Sequence, residues 1–238
     1  MIIDEIMARA PVIPVLVVEE DIDPVALAEA LVEGGLPVIE VTLRTPFALR
    51  AIHDMARVPG AVVGAGTVLD EAMLGIALDA IRVMARVPGA VVGAGTVRDE
   101  AQLARALDAG ARFIVSPGLT NALALAARDT EIPFLPGIAT ASDVLRGLDL
   151  GLTHFKFFPA EAMGGLATLK SLAAPFPEIR FCPTGGIRAD SAAQWLAHPS
   201  VLCVGGSWIV PQGGTDLAAV TQRARDAAML RNSPSPTG

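Results

Sequence analysis

The fourteen residues MARVPGAVVGAGTV occur twice in this chain, at 55–68 and again at 84–97. When the comparison is extended, 51–80 matches 80–109 at twenty-four of thirty positions. Repeat architectures need three or more copies to bury their faces. Because two copies exist and nothing else in the chain follows the period, the pattern indicates one local tandem duplication. Its structural meaning depends on the surrounding fold.

On both sides of the duplication, short apolar runs rich in β-branched residues alternate with helical patterns. Examples are PVIPVLVV followed by DPVALAEALVEGG, and HFKFFPA followed by LATLKSLAAPF. Continuous apolar strands with intervening helices are typical of a parallel sheet that is covered on both faces. With the duplicated unit counted once, eight strand–helix units occupy about 210 residues, the size of a compact (β/α)8 barrel.

The sequence therefore predicts an α/β protein, a (β/α)8 TIM barrel that carries one extra, duplicated βα unit within 51–108 (51–79 and 80–108). An open doubly wound sheet would absorb a ninth strand more easily and is the alternative. Strand number, shear and tilt are linked in a closed barrel, and an eight-strand interior is just filled by side chains. We therefore expect one copy of AVVGAG to be displaced outside the barrel, the second copy being favoured to stay inside. The junction of the copies predicts one long helix at about 70–86.

The composition, 238 residues with 52% hydrophobic and 18% charged, bounds the chain to one domain or two. We expect one domain over 1–230 and a disordered, Pro-rich tail at 231–238. No apolar run reaches the roughly 18 residues of a membrane span, and the first residues carry acids where a signal peptide carries bases. The sequence thus predicts a soluble cytoplasmic protein, and its formal charge of −7 argues against nucleic acid as a partner.

The two cysteines, Cys182 and Cys203, both lie in apolar runs. This context favours buried free thiols over a disulfide or a metal site. The sequence holds no cluster of Cys and His with the spacing of metal ligands, so no metal site is expected, and no other cofactor is predicted for the chain.

Two lysines occur in the chain, in opposite contexts. Lys170 falls in an amphipathic helical pattern, which predicts a solvated charge. Lys156 falls in the apolar strand HFKFFPA, between phenylalanines. A lysine in a buried strand is costly unless it is neutralised or paired. Desolvation favours the neutral amine, the form that a Schiff-base nucleophile uses. A structural ion pair explains Lys156 equally well at this point.

A second apolar strand, PVIEVTLRT, also carries charge. Its two-residue period puts Glu40, Thr42 and Arg44 on one face. Glu40 would then lie inside the barrel that also receives Lys156, as a structural ion-pair partner or as an acid–base group. Arg44, at the end of the strand, can hold a carboxylate with two hydrogen bonds.

The last two strands end in glycine pairs, in CPTGGI and in VGGSW. In a (β/α)8 barrel the loops after strands seven and eight are the usual phosphate site, because bare backbone N–H groups can approach the anion there. With the duplication counted once, these are strands seven and eight. The candidate residues are Thr184, Gly185, Gly186, Gly205, Gly206 and Ser207.

Taken in order, VIEVTLRT, GAGTV, IVSPGLT, PFLPGIAT, FKFFPAE, RFCPTGGI and VLCVGGSW resemble the class I 2-keto-3-deoxy-6-phosphogluconate (KDPG) aldolases, which often also act as 4-hydroxy-2-oxoglutarate aldolases. The resemblance runs from about residue 3 to 228. It implies a lyase of Entner–Doudoroff carbohydrate metabolism that cleaves KDPG to pyruvate and glyceraldehyde 3-phosphate. It also implies a metal-free enzyme that is typically a homotrimer.

The same resemblance implies roles for residues of this chain. Lys156 would form the Schiff base, with Phe158 against it, and Glu40 would move protons through a bound water. The pyruvate end would be lined by Arg44, Pro117 and either Thr67 or Thr96. The polar and phosphate end would be lined by Thr184, Gly185, Gly186, Gly205, Gly206 and Ser207. The family has a single GAGTV segment, so the resemblance leaves the choice between Thr67 and Thr96 open.

Two rival functions stand beside this one. An aldolase could favour a related keto acid, because pocket details set the substrate stereochemistry. Alternatively, the chain could be an engineered or structural trimeric scaffold derived from such an aldolase, with altered assembly and reduced activity. The chemical residues would be inherited in either case.

Overall fold

A computed structural model of the chain describes residues 3–66, 71–87, 91–211 and 216–232. Strands and helices alternate along these ranges. The strands are β1 (Val12–Leu16), β2 (Val38–Thr42), β3 (Val62–Gly66), β4 (Val91–Ala94), β5 (Phe113–Val115), β6 (Phe134–Leu135), β7 (Gly137–Ile138), β8 (His154–Phe157), β9 (Arg180–Pro183) and β10 (Val204–Gly206).

The helices are α1 (Ile3–Ala8), α2 (Pro24–Glu33), α3 (Ala48–Met55), α4 (Glu71–Met84), α5 (Glu100–Asp108), α6 (Asn121–Asp129), α7 (Ala141–Asp149), α8 (Gly165–Ala173), α9 (Ala189–Leu196) and α10 (Leu217–Ala228). A 3-10 helix, Met229–Asn232, follows α10. Of the tail predicted at 231–238, residues 231 and 232 belong to this 3-10 helix, and 233–238 lie outside the described residues.

The strands form a curled parallel sheet. Seven pair in the order β10-β1-β2-β3-β4-β5-β6 and three in the order β7-β8-β9, and every pairing is parallel. Only Pro136 separates β6 from β7, and Thr184, just after β9, pairs with Gly205 of β10. The α/β prediction is confirmed. The doubly wound alternative is wrong, because β1 to β6 follow chain order without the reversal that such sheets contain.

Both copies of the duplicated strand belong to the sheet. β3 and β4 are neighbours in perfect register, with Val62 opposite Val91 and Gly64 opposite Gly93. The expectation that one copy would be displaced is therefore wrong. That expectation counted strands and left their side chains out. A Cβ atom at Gly93 of β4 would lie 2.1 Å from the ring of Phe113, so the large Phe113 side chain of β5 fills the space that glycine leaves in β4. The long helix predicted at the junction is confirmed as α4.

The sheet has an outer and an inner apolar side. Outside, the helices cover buried residues such as Ile39 and Val41. Inside, two smaller clusters close one end of the sheet, and each receives a side chain from α1, Ile6 in one cluster and Met7 in the other. The second cluster also contains Cys182 and Cys203, which are buried and form no disulfide among the described residues, as predicted.

Local sequence signals set several helix starts. The Asp23 carboxylate accepts hydrogen bonds from the backbone N–H groups of Val25 and Ala26, and Pro24 opens α2. Thr140 and Asp143 form a capping box at α7. None of the helices in the described part of the chain combines the length and the apolar character that crossing a bilayer demands.

Candidate active site

Strand β2 contributes a polar row to the inner side of the sheet. Glu40 is half-buried, while its neighbours Ile39 and Val41 are buried against the helices. The Thr42 hydroxyl is buried and donates a hydrogen bond of 2.8 Å to the Leu16 carbonyl of β1. Arg44 follows the strand and is exposed. The predicted alternation of the two faces is present in the structure.

Strand β8 places Lys156 on the same inner side. Its neighbours Phe155 and Phe157 are fully buried in the outer core, so the period of two turns Lys156 inward. In the sheet Lys156 lies between Gly137 of β7 and Cys182 of β9. Its Nζ atom lies 5.1 Å from the centre of the Phe158 ring. Lys170 is exposed on α8, as predicted.

The last two strand ends approach each other closely. Gly185 and Gly186 follow β9 with positive φ angles of 106° and 83°, a conformation that favours glycine. At Gly205 the reason for glycine is space, because a Cβ atom would lie 2.6 Å from the Thr184 hydroxyl oxygen. Bare backbone is thus brought together at this edge of the sheet.

These strand ends surround one open cleft of about 590 Å³. Twelve of the thirteen predicted site residues line it, and the thirteenth, Thr67, lies outside the described residues. The twelve are Glu40, Arg44, Thr96, Pro117, Lys156, Phe158, Thr184, Gly185, Gly186, Gly205, Gly206 and Ser207. Residues from six different strand ends therefore converge on a volume large enough for a small metabolite.

Thr96 comes from the second copy of the duplication and adopts a φ of 61°. A β-branched residue in the left-handed region is a genuine outlier. Such strain is held by the surrounding structure and occurs often at functional sites. Thr96 lines the cleft, whereas Thr67 lies outside the described residues, so the choice between the two copies stays a prediction.

Sequence reasoning missed several lining residues, of which Arg188 carries charge. Its guanidinium donates two hydrogen bonds to Asp190, from Nε to Oδ1 at 3.2 Å and from Nη2 to Oδ2 at 3.3 Å. These bonds lower the pKa of the Asp190 carboxyl and raise the pKa of Arg188, because each charge stabilises the other. The available signal was position alone, two residues after the glycine pair.

Cys182 lies beside the reactive groups without reaching the cleft. A hydrogen bond with the Cys203 thiol lowers the pKa of Cys182, the positive charge of Lys156 and a bond to Thr184 act in the same direction, and burial opposes them. The thiol therefore lies within the electrostatic reach of Lys156. The described residues contain no group of three His, Cys, Asp or Glu side chains placed to hold a metal ion.

A strand lysine and a strand carboxylate that share a cleft at the carboxyl ends of parallel strands form the arrangement of a class I aldolase. The sequence matches the family model described as KDPG and KHG aldolase over residues 3–78 and 75–223. The chain belongs to this family. The two matched segments meet inside α4, where the copies of the duplication join.

Relatives that align with nearly the whole chain are also aldolases by name. A 2-dehydro-3-deoxy-phosphogluconate aldolase of Zymomonas mobilis is 51% identical, over 97% of this chain and 97% of the relative. A KHG/KDPG aldolase of Escherichia coli K12 is 44% identical, over 94% and 93%. The crystal structure of the Zymomonas mobilis ZM4 aldolase with 3-phosphoglycerate has a TM-score of 0.76 at 50% identity, covering 96% of this chain and 95% of that one.

A further solved structure is the KDPG aldolase of Legionella pneumophila with pyruvate captured as a covalent carbinolamine intermediate. Its TM-score is 0.74 at 38% identity, and the alignment covers 96% of this chain and 98% of that one.

Proposed function

We propose that this chain catalyses the reversible cleavage of KDPG to pyruvate and glyceraldehyde 3-phosphate through a Schiff base on Lys156. The observation that carries the proposal is that Lys156 and Glu40, charged residues of two separate apolar strands, line the same cleft. The carbinolamine trapped in the Legionella pneumophila relative supports the covalent route. The name of the Escherichia coli relative supports 4-hydroxy-2-oxoglutarate as a second substrate.

In the cleavage direction the Lys156 amine attacks the C2 carbonyl of the substrate, and the carbonyl oxygen leaves as water. The resulting iminium withdraws electrons from the C3–C4 bond, so that bond breaks as the C4 hydroxyl loses its proton. Glyceraldehyde 3-phosphate leaves, and the enamine that remains takes a proton at C3. Hydrolysis then releases pyruvate and restores the amine. The lysine thus replaces one difficult step by several easier ones.

Glu40 is the group that we assign to proton transfer. It is half-buried on the inner side of β2 and lines the cleft with Lys156. A carboxylate can take the hydroxyl proton during cleavage, through a bound water, and return it to the enamine carbon. Glu40 is the only carboxylate among the described residues that line the cleft. If it served only in a structural ion pair, the cleft would have no carboxylate for proton transfer.

The remaining lining residues divide by chemistry. Arg44 would hold the substrate carboxylate, with Thr96 and Pro117 beside it and Phe158 against the Schiff base. The bare backbone at the ends of β9 and β10 would receive the phosphate, with the Ser207 hydroxyl and the Arg188 guanidinium nearby. The assigned residues of this end are Thr184, Gly185, Gly186, Gly205, Gly206 and Ser207.

We also infer that the curled sheet is a closed ring, a (β/α)8 TIM barrel enlarged by one duplicated βα unit. Two features support closure of the ring. Only Pro136 separates β6 from β7, and Thr184, after β9, pairs with Gly205 of β10. With β6 and β7 counted as one strand, the ring has nine. A single domain over 1–230, a homotrimer and a cytoplasmic location remain predictions, to be tested by limited proteolysis, light scattering and cell fractionation.

Borohydride reduction in the presence of pyruvate tests the proposed chemistry. We expect a stable adduct on Lys156, located by mass spectrometry after proteolysis, and no adduct in Lys156→Ala. That variant should retain less than about a hundredth of the turnover while remaining folded, because covalent catalysis supplies several kcal/mol. Lys170→Ala, which alters an exposed lysine, is the matched control and should be silent. An unaltered chain that forms no adduct would contradict the proposal.

Glu40→Gln separates proton transfer from Schiff-base formation. Loss of the general base should slow cleavage by about 10²–10⁴-fold. Pyruvate trapping on Lys156 should partly survive, because the amine is still present. A variant that loses both activities and its circular-dichroism spectrum would instead favour a structural ion pair.

A further inference from the structure

Behind the cleft, the inner side of the sheet lines a second cavity of about 60 Å³. Its wall is mainly apolar and includes Ile6, Val38, Phe113 and Leu135. One water-sized group needs about 10–15 Å³, so the cavity has room for a small alkyl group. Away from its charged residues the wall is apolar, and an alkyl group placed against it would be removed from water, which is favourable.

The cavity and the cleft share part of their walls. Glu40, Lys156, Thr184 and Gly205 line both. The reacting amine and the proton-transfer carboxylate therefore lie at the boundary between a polar space and an apolar one. In the proposed reaction Glu40 exchanges a proton with C3 of the pyruvate unit, so C3 must also lie at this boundary. A substituent on C3 would have the apolar cavity beside it.

Each of the two duplicated strands contributes a glycine to the wall of the cavity. Gly64 of β3 and Gly93 of β4 both line it. At Gly93 the space is taken by the Phe113 ring, whereas a Cβ atom at Gly64 would have its nearest neighbours at 3.7 Å, Phe113 Cζ, and 3.8 Å, the Ile39 carbonyl oxygen. Those are ordinary van der Waals distances. One methyl group therefore fits beside Gly64 without displacing a neighbour.

We propose that the chain accepts, as the nucleophilic partner of the aldol reaction, 2-oxo acids that are one methylene longer than pyruvate. The simplest is 2-oxobutanoate, whose additional methyl group would enter the apolar cavity. This inference rests on the proposed Schiff-base function and extends it to a donor that the polar cleft alone does not favour.

The chemistry needs no added co-reactant. The Lys156 amine attacks C2 of 2-oxobutanoate and the carbonyl oxygen leaves as water. One C3 proton passes to Glu40, and the enamine carbon forms a bond to the aldehyde carbon of glyceraldehyde 3-phosphate, whose oxygen takes up a proton. Water hydrolyses the iminium and restores the amine. The product is the KDPG skeleton with a methyl group on C3.

The test measures kcat/KM for addition to glyceraldehyde 3-phosphate with 2-oxobutanoate and with pyruvate, on the same preparation. We expect the unaltered chain to use 2-oxobutanoate within about tenfold of pyruvate, the low end of the effect of one methylene in an apolar pocket. Gly64→Ala, which fills the space, should lower the ratio of the two values by about tenfold or more and leave pyruvate turnover unchanged. Gly75→Ala, on α4 where an added methyl meets open space, is the matched control.

Val115→Ala provides an independent variant, because Val115 lines the cavity and not the cleft. Its smaller side chain should raise the ratio, and it keeps the test decisive if Gly64→Ala does not fold. A ratio that responds to neither variant, or 2-oxobutanoate used more than about two-hundredfold less efficiently than pyruvate, would overturn the inference. Absence of pyruvate turnover in the unaltered chain would contradict the proposed function instead.

Discussion

The two copies of the duplication have nearly the same sequence and different surroundings. β3 and β4 pair residue by residue, yet a Cβ atom at Gly93 would lie 2.1 Å from Phe113 Cζ and one at Gly64 would lie 3.7 Å from the same atom. The difference arises because β5, which carries Phe113, is adjacent to β4 and not to β3. A methyl group at Gly93 therefore needs a shift of the Phe113 ring, whereas a methyl group at Gly64 does not.

The helices that follow the two copied strands, α4 and α5, also differ in the side chains that they present. α4 exposes Ile76 of the first copy at 44%, whereas the corresponding residue of α5, in the second copy, is Arg105. In α5 the buried Gln102 side chain accepts a hydrogen bond from the Arg98 N–H at 3.0 Å. The shared residues determine the secondary structure, and the neighbours in the sheet determine what each position must tolerate.

Removing one copy should have the largest effect. Deletion of 80–108 or of 51–79 leaves one strand between β2 and β5, which in the proposed ring draws Glu40 toward Lys156. Misplacement of a reacting group by about 1 Å can cost about a hundredfold in rate, so we expect kcat/KM for KDPG cleavage to rise by up to that factor. Steady-state kinetics on both folded deletion chains checks this. A fall in both would show that the nine-strand spacing is the working geometry.

Substitution of the paired glycines should separate the copies by stability. Gly93→Ala forces the Phe113 ring to move, and overpacking of this kind costs about 1–3 kcal/mol. Gly64→Ala should be neutral or stabilise by up to about 1 kcal/mol, since it restricts the unfolded chain and fits the folded one. Urea unfolding of the two variants side by side measures both values. Equal midpoints would mean that the surroundings of β3 and β4 are alike.

The threonines of the copies offer a smaller effect on activity. Thr96→Val keeps the shape of the side chain and removes the hydroxyl, which should cost about 0.5–1.5 kcal/mol of transition-state binding if a substrate hydrogen bond is lost. Thr67→Val should leave kcat/KM unchanged. Kinetics on the pair tells which copy supplies the site, and a larger loss from Thr67→Val would reassign that role to the first copy.

Much of the fold and site follows from the sequence for identifiable reasons. The βα alternation is readable because a parallel sheet covered on both faces requires continuous apolar strands. Lys156 and Glu40 stand out because charge in an apolar strand is costly without a purpose. Arg188 escaped notice because an arginine in a polar loop resembles any surface residue.

The prediction that one copy of the duplicated strand is displaced was wrong, because contacts between strands, and not the local sequence, determine where each copy lies. Strand counting treats the interior as fixed, whereas both copies pair in one sheet and the Phe113 ring occupies the space beside Gly93. Nothing in the local sequence of either copy reveals this, because Phe113 lies eighteen residues beyond the repeated AVVGAG that it packs on. Contacts between strands decide the outcome.

Ile76→Arg should have the smallest effect. It tests whether the face of α4 that carries Ile76 is exposed to solvent or buried between subunits. The substitution gives α4 the residue that α5 carries at this position. Since Ile76 is 44% exposed, we expect a change within about 0.5 kcal/mol in the free energy of unfolding. The particle mass from light scattering should equal that of the unaltered chain. Leu145→Arg, at an exposed position on α7, is the control. A smaller particle from Ile76→Arg alone would show that the α4 face is buried between subunits, which would favour the altered-assembly scaffold over a solvent-exposed insertion.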